Sequence, residues 1–84
     1  MSDDRWLRCK VFQGVFSDEV AVRVSPKEGD EIAFVVSRNE VVGDHDQPGK
    51  IRVRVYREGP IAWAVLPTEN HMIIPVNDSD LVPA

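Results

Sequence analysis

Three stretches of the chain alternate hydrophobic positions with polar or small ones. The hydrophobic positions are Leu7, Cys9 and Val11 in the first stretch, Val20, Val22 and Val24 in the second, and Ile51, Val53 and Val55 in the third. Successive side chains of a β-strand point to opposite faces of a sheet, so this spacing is typical of strands with one buried face. The pattern therefore predicts three half-buried strands.

Two further segments, 32–36 and 61–66, are hydrophobic at consecutive positions. Runs of this length are typical of strands that are covered on both faces. A shorter stretch, 72–76, also has strand character. Its Pro75 places it at a sheet edge or a strand end, because proline lacks the N–H that a strand ladder needs. No segment shows the spacing of an amphipathic helix, so we expect five or six strands.

Polar segments rich in glycine and proline separate these strands at 25–30, 43–49, 57–60 and 67–71. Such short connections are typical of a small barrel or sandwich. We predict one all-β domain over residues 1–84, with residues 1–5 as a flexible terminus. It is a single small barrel of five to six mostly antiparallel strands, with an open β-sandwich as the alternative. The predicted core consists of Leu7, Cys9, Val11, Val20, Val22, Val24, Ile32, Phe34, Val36, Ile51, Val53, Val55, Ile61, Trp63, Val65, Ile74 and Val76.

The C-terminal third of the chain has a distinctive order of residues. Trp63-Ala64-Val65-Leu66 is followed by a polar turn and then by Ile74-Pro75-Val76-Asn77-Asp78-Ser79-Asp80-Leu81-Val82. This order resembles the end of Src-homology-3-like small β-barrels, where a tryptophan-bearing strand and a turn lead to an Ile-Pro strand, one helical turn and a final valine strand. The resemblance implies the same barrel fold. A groove for proline-rich peptides is not expected, because such a groove needs several aromatic side chains and Tyr56 is the only tyrosine.

The composition narrows the class of protein. Of the 84 residues, 43% are hydrophobic and 29% are charged, which is ordinary for a globular domain. No hydrophobic run is long enough for a transmembrane helix, the N-terminus does not look like a secretory signal, and a single cysteine cannot form an intramolecular disulfide. These features predict a cytoplasmic protein. The net charge of −4 weighs against a dedicated nucleic-acid binder.

The sequence lacks the motifs that would place a catalytic or metal site. Cys9 is the only thiol and shares a face with Leu7 and Val11, so we expect a buried hydrophobic residue rather than a nucleophile. His45 and His71, without cysteine partners, do not form a structural zinc site. We therefore expect no catalytic residue, no metal and no cofactor. An enzyme would need a dispersed site that gathers a histidine with carboxylates and Cys9.

Basic side chains concentrate on one face of the predicted sheet. Alternation places Lys50, Arg52, Arg54 and Tyr56 together on one strand, and Trp6, Arg8 and Lys10 together on the outer face of another. Arginines beside aromatic rings could bind phosphates and stack bases. The same residues could also form a solvated outer face, whose long side chains cover the sheet and pair with carboxylates.

Three classes of function follow from these observations. The leading hypothesis is a non-enzymatic interaction module that recognises a protein partner or pairs with itself through an edge strand. The alternative is a nucleic-acid contact through the basic strand face, and the second alternative is an enzyme with a dispersed site. No membrane partner is expected.

Overall fold

In the described part of the chain, the fold consists of β-strands and two single helical turns. The computed structural model describes residues 3–13, 18–43 and 48–83. The strands are β1 (Asp3–Gln13), β2 (Glu19–Val24), β3 (Ile32–Ser37), β4 (Val41–Val42), β5 (Pro48–Glu58), β6 (Ile61–Val65), β7 (Ile73–Val76) and β8 (Leu81–Pro83). One 3-10 turn, Arg38–Glu40, precedes β4, and a second, Asp78–Asp80, precedes β8.

All strands of the described residues belong to one antiparallel sheet. The six longer strands follow the order β3-β2-β1-β5-β6-β7, while β4 pairs with β5 and β8 pairs with β1. The sheet curls into a half-barrel, so the predicted all-β class is confirmed. The first strand begins earlier than predicted. Residues 3–5 were expected in a flexible terminus, whereas the structure pairs Asp3, Asp4 and Arg5 with β5. Residues 1 and 2 lie outside the described part of the chain.

The long central strands β1 and β5 join the two halves of the sheet. Leu7 of β1 lies opposite Ile51 of β5. The other edge of β5 changes partner along its length, because β4 pairs with residues 50 and 51 and β6 pairs with residues 54–58. Within the described residues, Arg52 and Val53 therefore pair with β1 but with neither β4 nor β6.

The core fills the concave face of the half-barrel. Its buried residues are Leu7, Cys9, Val11, Val20, Val22, Val24, Val36, Ile51, Val53, Val55, Ala62, Ala64, Leu66, Ile74 and Val76. The positions predicted from the alternating stretches of β1, β2 and β5 are all confirmed. The register explains this agreement, since Val11 lies opposite Val22 and Leu7 lies opposite Ile51, which aligns the hydrophobic faces of neighbouring strands.

The buried face of β6 differs from the prediction. Ile61, Trp63 and Val65 were expected in the core but are only half-buried, and the residues between and after them are buried instead. Ala64 lies directly between Val55 of β5 and Ile74 of β7. These larger neighbours fill the interior at this point, so only a small side chain fits there.

The third strand also differs from the prediction. Segment 32–36 was expected to be covered on both faces of the sheet. Ile32 and Phe34 are half-buried and pack against the core rather than within it. Ala33 and Val35, on the opposite face, are exposed. The reason is that β3 ends the sheet order and has a neighbouring strand, β2, on one side only.

The loop between β2 and β3 contacts β7, the end strand on the other side of the sheet from β3. Pro75 lies in the end strand β7, as its missing N–H predicted. The backbone N–H of Lys27 donates a 2.8 Å hydrogen bond to the carbonyl oxygen of Pro75. This contact fixes the loop after β2 against the outer edge of β7. Across the described residues, the structure contains no helix long and hydrophobic enough to cross a membrane.

Candidate interaction face

The outer face of β5 carries a row of polar side chains. Arg52, Arg54 and Tyr56 are exposed and Lys50 is half-buried, while the residues between them point into the core. The alternation arises because Ile51, Val53 and Val55 are held in the interior by their β1 neighbours.

The first strand brings three more of the candidate residues to the same face. Trp6 lies opposite Arg52, and Arg8 lies opposite Lys50. Lys10 follows, opposite Pro48 at the start of β5. The structure thus places the seven candidate residues on adjacent strands. We call this surface the basic face: Trp6, Arg8, Lys10, Lys50, Arg52, Arg54 and Tyr56.

Two cations of the basic face surround one indole ring. The Lys50 Nζ lies 5.2 Å from the centroid of the Trp6 ring, and the Arg52 Cζ lies 5.4 Å from it. Both distances fall within the range of cation–π attraction. A nucleobase that stacked on this ring would therefore compete with two cations that already contact it.

A broad depression opens beside the basic face. Its volume is about 910 Å³, and its floor includes Arg52, Arg54 and Tyr56 of β5. The apolar side chains of Val65 and Ile73 extend the floor across β6 and β7. One wall is formed by residues 37 and 40 around the first 3-10 turn, and the other by residues 66–69 and 71 between β6 and β7.

The position of the depression follows from the change of partner along β5. β4 ends its pairing at Ile51, and β6 begins its pairing at Arg54. The two neighbours diverge between these points, so the sheet is open beside Arg52 and Val53. The segments that leave the sheet there become the two walls.

The connection between β6 and β7 is held by its own hydrogen bonds. The N–H of Leu66 donates to the carbonyl of Met72 at 2.8 Å, and the N–H of His71 donates to the carbonyl of Thr68 at 3.0 Å. The Thr68 hydroxyl accepts from the N–H of Met72 at 3.1 Å and donates to Asn70 Oδ1 at 2.8 Å. His71 adopts a left-handed backbone with φ of 50° to complete the turn. The wall is therefore an ordered loop.

Charges of both signs line the depression. Arg52 and Arg54 lie on its floor, whereas Asp4, Glu40 and Glu69 lie on its rim. Asp4 stands directly opposite Arg54 in the register of β1 and β5. Among the described residues, no carboxylate lies within ion-pair distance of the Arg52 or Arg54 guanidinium. The Arg54 guanidinium is thus available to a ligand, while that of Arg52 already lies over the Trp6 ring.

The histidine, carboxylates and Cys9 expected of a dispersed site are brought together only in part among the described residues. Cys9 is buried in the core, and burial raises the pKa of its thiol from 9.0 to about 11, which disfavours the thiolate. His71 lines the depression together with Asp4, Glu40 and Glu69, whereas Cys9 is not among its lining residues, and His45 falls outside the described residues. The described residues also contain no cluster of histidine, cysteine and carboxylate side chains that could hold a metal ion.

Several residues of this surface were not identified from the sequence. Trp63 was assigned to the core, yet it lies opposite Tyr56 and so faces outward beside it. Val65 and Ile73, which pair with each other, add an apolar area next to Arg54. The odd-numbered residues of β6 could have been assigned outward only with the register of β5, which the sequence does not reveal.

Comparisons with protein-family models, with curated proteins and with solved structures found no match to this chain.

Proposed function

We propose that this protein is a non-enzymatic interaction module that binds a protein partner through the depression and the adjoining basic face. One observation carries the proposal. Two large apolar side chains, Tyr56 at 44% exposure and Ile73 at 57%, stand beside the guanidinium groups of Arg52 and Arg54 in one depression of about 910 Å³.

This combination matches the composition of protein–protein interfaces. Tyrosine, tryptophan and arginine are enriched at interface centres and contribute most of the binding energy. Tyr56 and the neighbouring Trp63 provide the aromatic area, and Arg54 provides a fork of donors that can bind a carboxylate through two hydrogen bonds. The ordered β6–β7 loop supports one wall, so the free protein needs little reorganisation before binding.

The charges of the depression define the chemistry of the partner. A carboxylate on the partner would meet Arg52 or Arg54, and a neighbouring apolar side chain would cover Val65 and Ile73. Asp4 and Glu69 on the rim would repel a uniformly acidic partner. We therefore propose a partner that presents a single carboxylate beside an apolar side chain.

A nucleic-acid contact is the alternative function. The cations around Trp6 favour it, since they lie on a continuous strip with Arg8. The net charge of −4 and the carboxylates on the rim oppose it, because they repel a polyanion before it reaches the strip. An enzyme with a dispersed site is the second alternative, and the separation of Cys9 from His71 argues against it.

We further propose that the half-barrel is of the Src-homology-3-like kind and that the protein is cytoplasmic. The order of elements at the C-terminal end supports the first point: the tryptophan-bearing β6 leads to β7, which contains Ile74-Pro75, then to one 3-10 turn and to β8 beside β1. The free, buried Cys9 is compatible with a reducing compartment and supports the second point.

The experiment begins with a photo-crosslinking amino acid in place of Tyr56, expressed in cells that naturally make this protein. A crosslinked partner is then purified, and its affinity is measured for the wild type and for Arg54→Ala/Tyr56→Ala. We expect the affinity to fall at least about 30-fold, which corresponds to about 2 kcal/mol.

The matched control is Lys27→Ala/Val42→Ala, which truncates one basic and one apolar exposed residue outside both the depression and the basic face. It should bind the partner as the wild type does. If no protein is crosslinked, or if both double variants lose the same affinity, this function is wrong. Labelled single-stranded RNA that binds at micromolar concentration and is lost in the Arg54 variant would favour the nucleic-acid alternative.

A further inference from the structure

The third strand leaves one edge of the sheet open. β3 ends the sheet order, and among the described residues it pairs only with β2. Alternate N–H and C=O groups of residues 32–37 therefore point away from the sheet. Such a row of backbone groups is a template for the addition of another strand.

The two end strands of the sheet, β3 and β7, differ in how well their outer edges are protected from pairing. β7 contains Pro75, and the carbonyl of that residue is already occupied by the N–H of Lys27. β3 has the sequence Ile-Ala-Phe-Val-Val-Ser, with no charged residue and no proline. Charged residues and proline are the usual devices that prevent edge-to-edge pairing, so β7 is protected and β3 is not.

The side chains along the open edge are also incompletely covered. On the concave face, Ile32 and Phe34 pack against the core but stay half-buried. On the outer face, Val35 is 45% exposed and Ala33 is exposed as well. A strand added beside β3 would cover apolar surface on both faces of the sheet at once.

We propose that two copies of this chain associate by antiparallel pairing of β3 with β3 of the second copy, with Phe34 at the two-fold axis. An antiparallel pair of identical strands is self-complementary, so this contact forms a closed dimer. The axis runs perpendicular to the sheet, and the concave faces of both half-barrels lie on the same side.

The side chains select this register. With Phe34 at the axis, the two Phe34 rings are opposite each other, Ile32 is opposite Val36 of the second copy, and Ala33 is opposite Val35 of the second copy. Every central pair is then apolar, and cross-strand aromatic and aliphatic pairs stabilise sheets. The two neighbouring registers that keep the concave faces together each bring an apolar residue opposite a charged one. With Val35 at the axis, Ile32 lies opposite Arg38 of the second copy, and with Ala33 at the axis, Val35 lies opposite Glu31 of the second copy, so both are less favourable.

The mass in solution tests the association. We expect sedimentation equilibrium of the wild type to give twice the chain mass of 9.5 kDa at high concentration. In the proposed dimer, Ala33→Glu/Val35→Glu places two pairs of carboxylates opposite each other, which repel. Within one chain, position 33 lies opposite Arg23, so the monomer tolerates a carboxylate there. This variant should be monomeric with an unchanged circular dichroism spectrum.

The control carries the same added charge elsewhere. Val42→Glu/Asn77→Glu alters two exposed positions, since Val42 is 49% exposed and Asn77 makes no side-chain capping bond. It should dimerise as the wild type does. A wild type that is monomeric at every concentration would overturn the proposal, and so would a folded Ala33→Glu/Val35→Glu variant that still dimerises.

Disulfide formation tests the register without disturbing the strand charges. Directly opposite residues of antiparallel strands have Cα atoms about 4.5–5.5 Å apart, which a disulfide can span. A mixture of Ala33→Cys and Val35→Cys chains should therefore oxidise to a mixed dimer, while neither variant alone should do so efficiently. Cys9 is buried and does not compete. Efficient crosslinking of Val35→Cys alone, or no mixed dimer, would overturn the proposed register.

Discussion

The guanidinium of Arg57 donates a 2.7 Å hydrogen bond from Nη2 to Oδ1 of Asp78. This ion pair joins the end of β5 to the second 3-10 turn, which is closed by the N–H of Asp80 and the carbonyl of Asn77 at 3.0 Å. The turn leads directly into β8, so the pair connects the central strand to the segment that returns the chain to β1.

The first prediction concerns the titration of Asp78. The hydrogen bond from Arg57 favours the carboxylate and lowers the pKa of Asp78, and the charges of Arg57 and Lys27 add to the effect. A carboxyl group with a lowered pKa stabilises the folded state above its unfolded pKa, and this contribution is lost as the pH falls through the folded pKa. Because the side chain is 64% exposed, we expect only a small loss of stability in acid.

Carbon-detected NMR titration should give Asp78 a midpoint below that of an ordinary aspartate. Arg57→Gln should raise the midpoint, and Lys27→Gln should raise it by less, because Lys27 acts through its charge alone. An identical midpoint in the wild type and in Arg57→Gln would contradict this explanation.

The second prediction concerns the buried thiol. The pKa of Cys9 is raised by burial from 9.0 to about 11, so the native protein should react slowly with an aqueous thiol reagent and react fast once unfolded. The folded state favours the protonated thiol, so this stabilisation is complete below pH 9 and is lost as the pH rises towards 11.

Two substitutions of Cys9 distinguish the effect of lost side-chain volume from the effect of a buried charge. Cys9→Ala should unfold at slightly lower denaturant concentration, whereas Cys9→Asp should lose about 3–5 kcal/mol, the usual consequence of an unpaired charge in a core. Urea unfolding followed by tryptophan fluorescence measures both. Fast labelling of the native wild type would show that Cys9 is accessible and would make a chemical role worth testing.

The third prediction concerns a close approach between β5 and the end of β4. A Cβ at Gly49 would lie 2.5 Å from the carbonyl oxygen of Val42 and 2.6 Å from Cγ2 of Val11. Gly49→Ala should therefore destabilise the protein by about 1–3 kcal/mol through overpacking. Gly59→Asn is the control, because Gly59 has φ of +60° and no atom near its Cβ position, and asparagine tolerates that backbone conformation. Equal losses in the two variants would contradict the steric explanation.

The fourth prediction concerns oligonucleotides. We expect no specific binding of single-stranded RNA or DNA at physiological salt, because the protein is acidic and the depression is rimmed by carboxylates. Fluorescence anisotropy across a salt series tests this. Binding through the basic face would instead fall steeply with salt, and each phosphate that Arg52→Ala/Arg54→Ala no longer neutralises would lower the logarithmic slope by about 0.7–0.9. Tight binding that this variant abolishes would establish the nucleic-acid function.

Much of the fold follows from the alternation of residue types along single strands. The faces of β1, β2 and β5 were correctly predicted because polar and hydrophobic positions alternate there and only one face is buried. The same rule assigned Trp6 and Arg52 to the outer face, where the structure places them opposite each other.

The sequence could not assign faces where both sets of positions are hydrophobic. Along β6 the larger residues Ile61 and Trp63 were placed in the core, but the structure turns Ala62 and Ala64 to the interior instead. The depression likewise could not be predicted from the sequence, because its position depends on where the pairing of β4 ends and the pairing of β6 begins along β5. These are pairings between distant parts of the chain, and no local pattern encodes them.

The pairing of β1 has a consequence for the order in which the fold can form during synthesis. β2 follows β1 closely and can pair with its C-terminal end at once, but Leu7 must wait for Ile51 on one edge and for Leu81 on the other. Long-range pairings of this kind make folding slow. The first half of β1 therefore leaves the ribosome as an unpaired strand, and its last neighbour arrives only when the final residues of the sheet have been made.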